Sequence, residues 1–204
     1  MSKLKVTCKV RTRIPTDHGD FQLCYYANTF DNKEHLALFT GELSRTRSVL
    51  ARIHSECFTG DVLGSRRCDC GEQLDQSLRR ISEAGAGILI YLRQEGRGIG
   101  LLEKLRAYNL QDDGLDTIDA NLELGHEADT RDYSLAALIL RDLGVDSVQL
   151  ITNNPIKINA LEDLGIDVTK RVSLEIAANP NNLSYLRTKA QRMNHLLQIK
   201  TLKN

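Results

Sequence analysis

The sequence predicts a mixed α/β (α+β) fold, with N-terminal antiparallel strands joined to a partly parallel sheet flanked by helices. The early part of the chain consists of short β-prone runs separated by turn residues, spaced closely enough for antiparallel pairing. From Gln73 onward, segments with apolar residues at helical spacing end at glycines and alternate with short apolar runs, the pattern of βαβ units. No internal repeat or low-complexity linker interrupts this order. Residues 1–204 therefore read as a single domain with a C-terminal helix or tail over about 175–204.

The elements follow from local chemistry. Leu4–Ile14 and Phe21–Ala27 read as strands around the turn Pro15-Thr16-Asp17-His18-Gly19-Asp20. His35–Thr40 and Ser48–His54 are two further short strands. Gln73–Ala84 carries Leu74, Leu78 and Ile81 at helical spacing and stops at Gly85. Gly87–Leu92 is a buried-strand run, followed by a Gly-rich turn and a helix over Leu101–Leu110. Tyr133–Leu143 reads as a helix stopped by Gly144, and Ser147–Thr152 as a strand. Pro155–Leu164 is a helix stopped by Gly165, and Ile166–Leu174 a strand. From Asn181 the tail reads as one polar helix anchored by Tyr185, Leu186, Met193, Leu196 and Leu197.

Composition narrows the function. Hydrophobic residues make up 41% and charged residues 26%, enough for an ordinary soluble core. Lys+Arg and Asp+Glu are equal at 27 each, so the basic surplus of a non-specific nucleic-acid binder is missing. No apolar run is long enough for a membrane span, and Met1–Lys9 lacks a signal-peptide core. A cytoplasmic protein is expected, in which five Cys argue for metal binding or chemistry rather than disulfides. Cys8 and Cys24 read as strand residues of no special role.

The remaining three are Cys57, Cys68 and Cys70. If Cys68-Asp69-Cys70 is extended, both thiols point the same way, and the intervening loop can bring Cys57 alongside. Three thiolates leave one zinc position for water, whose pKa then falls towards ~7. Spacing also allows a closed structural site with His54 as fourth ligand, or three buried thiols without metal. Arg52, His54 and Glu56 add ionisable groups that a structural knuckle does not need. The His54-Ser55-Glu56 triplet matches half of the zinc deaminase signature, but the Cys spacing does not match the other half.

Two segments suit an anion. Gln94-Glu95-Gly96-Arg97-Gly98-Ile99-Gly100 joins a buried strand to a helix, though a purely structural turn has the same pattern. Thr152-Asn153-Asn154-Pro155 opens a helix with Lys157 one turn in, and serves equally as a cap. Asp129-Thr130-Arg131-Asp132 opens another helix, with Asp129 or Thr130 as the expected N-cap and Arg131 on the surface.

Taken together, these motifs closely resemble GTP cyclohydrolase II. The resemblance runs in order through Ile14-Pro15-Thr16, Arg52-Ile53-His54-Ser55-Glu56-Cys57, Thr59-Gly60-Asp61, Arg67-Cys68-Asp69-Cys70-Gly71 and Arg93-Gln94-Glu95-Gly96-Arg97. It continues through Leu105-Arg106-Ala107-Tyr108, Ala128-Asp129-Thr130-Arg131-Asp132, Leu150-Ile151-Thr152-Asn153-Asn154-Pro155 and Asn179-Pro180-Asn181-Asn182. It implies a GTP cyclohydrolase II-like fold and conversion of GTP and water to formate, diphosphate and a diaminopyrimidine ribosylamino 5′-phosphate, the first step of riboflavin biosynthesis. Cys57, Cys68 and Cys70 are implied to hold one zinc per subunit, with Mg²⁺ accompanying the triphosphate. GTP is implied to bind Arg52, Ile53, His54, Ser55, Glu56, Gln73, Glu95, Gly96, Arg97, Thr117, Thr152 and Lys157. Asp129 is implied as proton acceptor, Arg131 as nucleophile at the α-phosphate, and Tyr108 as an aid to ring opening. Arginine stays protonated in proteins, so a nucleophilic Arg131 must lose a proton, which Asp129 could take; the alternative is that Arg131 only stabilises the departing diphosphate. Glu95 is a further candidate acceptor for the two donors on guanine's edge. A homodimer is implied, and the chain has no room for the synthase domain fused to this enzyme in many organisms, so the monofunctional form is expected. Asn194 stands where the family usually has Gly. A paralogue that stops early in the reaction and a nucleotide-sensing protein with structural zinc are the competing expectations.

Overall fold

The computed structural model of the chain describes residues 4–198. Its strands are β1 (Val6–Thr16), β2 (Gly19–Asn28), β3 (His35–Thr40), β4 (Val49–Ser55), β5 (Gly87–Leu92), β6 (Ser147–Ile151) and β7 (Asp167–Val172). Its α-helices are α1 (Phe58–Asp61), α2 (Cys70–Glu83), α3 (Leu101–Asp112), α4 (Thr117–Glu123), α5 (Ser134–Asp142), α6 (Pro155–Asp163) and α7 (Leu183–Arg192). All the strands lie in one mixed sheet of order β1-β2-β3-β5-β4-β6-β7. The pairs β1–β2, β2–β3 and β3–β5 are antiparallel, whereas β4–β6 and β6–β7 are parallel. The mixed class expected from sequence is the one observed.

The first hairpin is tighter than the turn residues suggested. Thr16 pairs with Gly19, so only Asp17 and His18 form the loop, and Pro15 sits inside β1. An edge strand tolerates proline because its outer N–H positions face no partner. The other edge, β7, carries Lys170 and Arg171 on largely exposed positions, which discourages pairing with another chain.

The residues divide into two compact units. One runs up to His54 and includes Asp75–Arg93 and Asp132–Leu174; it contains the sheet and the main core. Helix α5 buries Leu135, Ala136, Ala137, Ile139 and Leu140 in that core, which also takes Ile88, Ile90 and Leu92 of β5. Cys24 is buried in the same core and Cys8 packs against it; both are free thiols on strands. The Tyr26 hydroxyl donates to Asp142 Oδ2 at 2.7 Å, linking β2 to the end of α5.

The other unit comprises Ser55–Leu74, Gln94–Arg131 and the chain from Glu175 on. It is built from short helices with few buried apolar residues, chiefly Ala107, Ile118, Ala120 and Leu186. Two of its helices, α1 and α4, carry no strong apolar period and were not anticipated. Asp116 caps α4, accepting from the N–H groups of Ile118 and Asp119. The tail helix is shorter than expected: α7 ends at Arg192, Leu196 lies outside it and is 47% exposed, and residues 199–204 fall outside the described residues. Asn194 stops it with φ 53°, a left-handed conformation that glycine and asparagine adopt most readily. No helix among the described residues is long and apolar enough to cross a membrane.

Candidate metal and catalytic centre

The second unit gathers the three cysteines. Cys57 ends the segment after β4 and precedes α1, Cys68 lies in the following turn, and Cys70 is the first residue of α2. The expected extended Cys68-Asp69-Cys70 is therefore a turn entering a helix. Convergence survives because the helix start directs Cys70 back towards the other two. The three sulfurs lie within 4.8 Å of one another, and Cys57 Sγ and Cys68 Sγ are 3.6 Å apart. That matches the edge of about 3.8 Å that follows from Zn–S bonds of ~2.3 Å in a tetrahedron. The group consists of the three cysteines and includes no histidine among the described residues.

The packing beneath the sulfurs is tight. A Cβ on Gly60 would stand 3.0 Å from Cys68 Sγ and 3.1 Å from Cys57 Sγ. A Cβ on Gly71 would overlap the Gly60 carbonyl. Thus Thr59-Gly60-Asp61 and Cys70-Gly71 are glycine motifs because two backbones meet under the thiols.

Charge is arranged around Cys57. Lys104 Nζ donates to Cys57 Sγ at 3.0 Å and to Glu95 Oε1 at 2.8 Å, with both Lys104 and Glu95 largely buried. Hydrogen bonds from Cys68 and Cys70, joined by the Lys104 ammonium, hold the Cys57 thiol well below its ordinary range. The Cys68 thiol, hydrogen-bonded to Cys57, is pushed up to about 11. A bound divalent cation would supply the positive charge that favours the thiolate form of all three. The donor set fits zinc. Lys104 was missed in the sequence; its only signal is its place one turn into the helix that follows the Gly-rich turn.

Glu95 is engaged by residues of its own unit. Its carboxylate accepts from Phe58 N–H (2.6 Å), Gly96 N–H (2.8 Å) and Lys104. These donors occupy three of the roughly four lone-pair positions of the carboxylate, with only Phe58 N–H on Oε2. Gly96 and Arg97 both adopt left-handed backbone, with φ 63° and 62°. For arginine that conformation is strained, and its Nη2 is buried without a hydrogen-bond partner while Nη1 donates to the Ala128 carbonyl. A Cβ on Gly98 would overlap Thr130, whose N–H and hydroxyl both donate to the Arg97 carbonyl. The Gly-rich turn is therefore clasped against the 128–131 segment.

Asp129 and Arg131 do not begin a helix. Asp132 accepts from Ser134 N–H at the start of α5, while Asp129 takes Arg131 in a two-pronged ion pair, with Nε at 2.8 Å from Oδ1. Arg131 is mostly buried rather than on the surface. Burial raises the Asp129 carboxyl, but the Arg131 hydrogen bonds and charge outweigh it and leave the group below its ordinary range. Tyr108 is held by Thr59, its hydroxyl 3.1 Å from Thr59 Oγ1, which is 3.7 Å from Cys57 Sγ. Burial raises the phenol, so it stays protonated at neutral pH. Arg67 stacks over its ring at 5.0 Å.

Gln73, in α2, donates Nε2 to Asp69 at 2.5 Å. Ser55, the last residue of β4, and Glu56 after it are half-buried, and Thr117 is half-buried at the start of α4. In the sheet unit, Arg52, Ile53 and His54 close β4, and Thr152 follows β6. These parallel neighbours present the carboxyl ends at which α/β folds bind ligands. Arg52 Nη1 donates to the Ile151 carbonyl at 3.0 Å, Lys157 Nζ to the Ile53 carbonyl at 2.7 Å, and His54 stacks on Tyr91. Asn154 caps α6 ahead of Pro155, as expected.

A family model described as GTP cyclohydrolase II matches residues 7–173. The chain belongs to the GTP cyclohydrolase II family. It is 53% identical over 194 residues to riboflavin biosynthesis protein RibBA of Bacillus mycoides (strain KBAB4), covering 95% of this chain and 49% of that protein. The protein of the same name from Salinispora tropica is 54% identical over 194 residues, covering 95% and 48%. That from Parabacteroides distasonis is 50% identical over 188 residues, covering 92% and 46%. The chain thus spans about half the length of the relatives it matches. A solved structure described as RibBX, a two domain 3,4-dihydroxy-2-butanone 4-phosphate synthase from A. baumannii, matches with TM-score 0.47 and 22% identity over 84% of this chain and 40% of the other.

Proposed function

We propose that this chain hydrolyses GTP as a GTP cyclohydrolase II. It opens the imidazole ring with release of formate and diphosphate, giving 2,5-diamino-6-ribosylamino-4(3H)-pyrimidinone 5′-phosphate for riboflavin biosynthesis. The observation that carries this reading is the convergence of Cys57, Cys68 and Cys70, with the Tyr108 hydroxyl connected to Cys57 through Thr59. In this reading residues 1–204 act as one catalytic domain, in the cytoplasm and as a homodimer, with Mg²⁺ on the triphosphate.

Cys57, Cys68 and Cys70 hold zinc, which when bound supplies Lewis-acid activation of water near neutral pH. Tyr108, kept protonated by burial, donates to a ring nitrogen as the C–N bond opens. The nucleotide contacts are those of the family motif: Arg52 to Glu56, Gln73, Gly96, Arg97, Thr117, Thr152 and Lys157. Arg97 offers its buried Nη2 to a phosphate oxygen. Glu95, held in place by Lys104, accepts from the two donors on guanine's edge.

At the phosphate end, Asp129 is ionised and keeps Arg131 protonated, so Arg131 acts as a cation on the α-phosphate and departing diphosphate rather than as a nucleophile. A guanylylated protein mapped to Arg131 by mass spectrometry under single turnover would overturn that assignment.

The deciding experiment incubates the protein with GTP, Mg²⁺ and zinc and measures formate and diphosphate together. Both products are expected. Neither product sinks the proposal, and diphosphate alone identifies an enzyme that stops early. Cys68→Ser is expected to lose zinc and formate release; unchanged formate production by that metal-free variant would refute the zinc role.

A further inference from the structure

Asp69 stands between two of the candidate metal ligands, and its side chain is only 1% exposed. A carboxylate at that depth is costly unless it is fully partnered. Its Oδ2 accepts from Gln73 Nε2 at 2.5 Å, one turn along α2. Its Oδ1 accepts from Lys189 Nζ at 2.9 Å, and that lysine arrives from α7, 120 residues away. Lys189 is itself buried, with its ammonium 4.8 Å from the centre of the Tyr185 ring.

Helix α7 is fixed independently of this pair. Leu186 is buried, and Arg192 at its last turn bonds Asp119 at 2.7 and 2.9 Å and also pairs with Asp116, both on or capping α4. The Cys68–Cys70 turn is therefore gripped from two directions: by Gln73 along α2 and by Lys189 across from α7. Helix α7 lies beyond residue 173, where the family match ends.

We infer that Lys189 is a positioning residue for the metal centre, acting through Asp69 to fix the turn so that Cys68 and Cys70 face Cys57. This rests on the reading that these three thiols bind a metal. Removing the brace leaves all three ligands in place but frees the turn that aims two of them, so the loss is expected in metal affinity and coordination geometry. Partners that orient metal ligands are worth about 10- to 100-fold in affinity.

The test titrates the full chain with Co²⁺, reading the visible ligand-field and thiolate-to-metal bands, and with Zn²⁺ against a chelator. Lys189→Met strands a buried carboxylate and is expected to lower both thermal stability and affinity. The double variant Asp69→Asn/Lys189→Met removes both charges, so its melting temperature is expected to return towards wild type. Its Co²⁺ and Zn²⁺ affinities are expected to stay about 10-fold or more below wild type, with altered band positions. A double variant with wild-type affinity and spectrum overturns the brace, because the pair then serves packing alone. A wild-type chain that takes up no Co²⁺ or Zn²⁺ overturns the metal reading itself, a result distinguishable from the first.

Discussion

At Gly60 the backbone passes so close to the three cysteines that a methyl group would meet Cys68 Sγ at 3.0 Å, Cys57 Sγ at 3.1 Å and Cys70 Cβ at 3.2 Å. Gly60→Ala is therefore expected to push the thiols apart and weaken Zn²⁺ binding by about 10-fold or more, as read by chelator competition. Arg97 poses the opposite case, a side chain retained despite strained backbone at φ 62°. Arg97→Gly is expected to leave stability unchanged or raise it by up to about 1 kcal/mol while sharply lowering kcat/KM for GTP. Thermal melts and steady-state kinetics check this together; loss of stability with full activity would show that the guanidinium serves packing. The cysteines and Arg97 were legible as chemistry from residue type and spacing. Lys104 was not, because a lysine on a helix looks solvated until Cys57 and Glu95 are seen to flank it.

At the scale of elements, strong apolar periods translated directly. β3 (His35–Thr40) and β5 (Gly87–Leu92) begin and end where the residues indicate, and Gly85, Gly144 and Gly165 follow their helices in left-handed conformation. Helices α1 and α4 were invisible because α1 is a single turn without a side-chain cap, and α4 is two turns held at its start by the Asp116 cap. Asp116 shows the strength of such a cap. Burial raises its carboxyl, but the Asp119 N–H and the Arg192 guanidinium outweigh that and hold it below the ordinary range. Asp31 and Asp129 are lowered in the same net sense. In each case the unfolded chain takes up a proton at higher pH than the folded one. Their stabilisation is thus present above the unfolded value of about 4 and is lost as pH falls through the lower folded values. Asp116→Asn keeps a capping oxygen but drops the charge. Urea melts from pH 6 to pH 2.5 are expected to show a lower neutral plateau and a shallower acid decline in this variant. An acid limb parallel to wild type would remove Asp116 from that account.

At the scale of the whole molecule, the sheet unit has a continuous apolar core, whereas the thiol-bearing unit has few buried apolar side chains. Short helices with little core call for other fasteners, and a metal held by Cys57 before α1, Cys68 in the turn and Cys70 at the start of α2 would be one. Zinc at about 100 times its dissociation constant stabilises by about 2.7 kcal/mol, which corresponds to a rise of about 5–10 °C in melting temperature for a chain of this size. Scanning calorimetry with and without Zn²⁺ is expected to show this shift in wild type and not in Cys68→Ser. Equal shifts in both proteins would place the zinc elsewhere.

By itself the sequence determined the fold class, the family and the three thiols that could hold a metal, because alternation, glycine stops and cysteine spacing are local properties of the chain. Only the tertiary structure decided what neighbours those residues have. It engaged Glu95 with Lys104 and two backbone N–H groups, closed Asp129 on Arg131, and brought Lys189 across 120 residues to Asp69. Ion pairs of this kind join positions with no periodic relation, and their geometry exists only once the helices that carry them have packed.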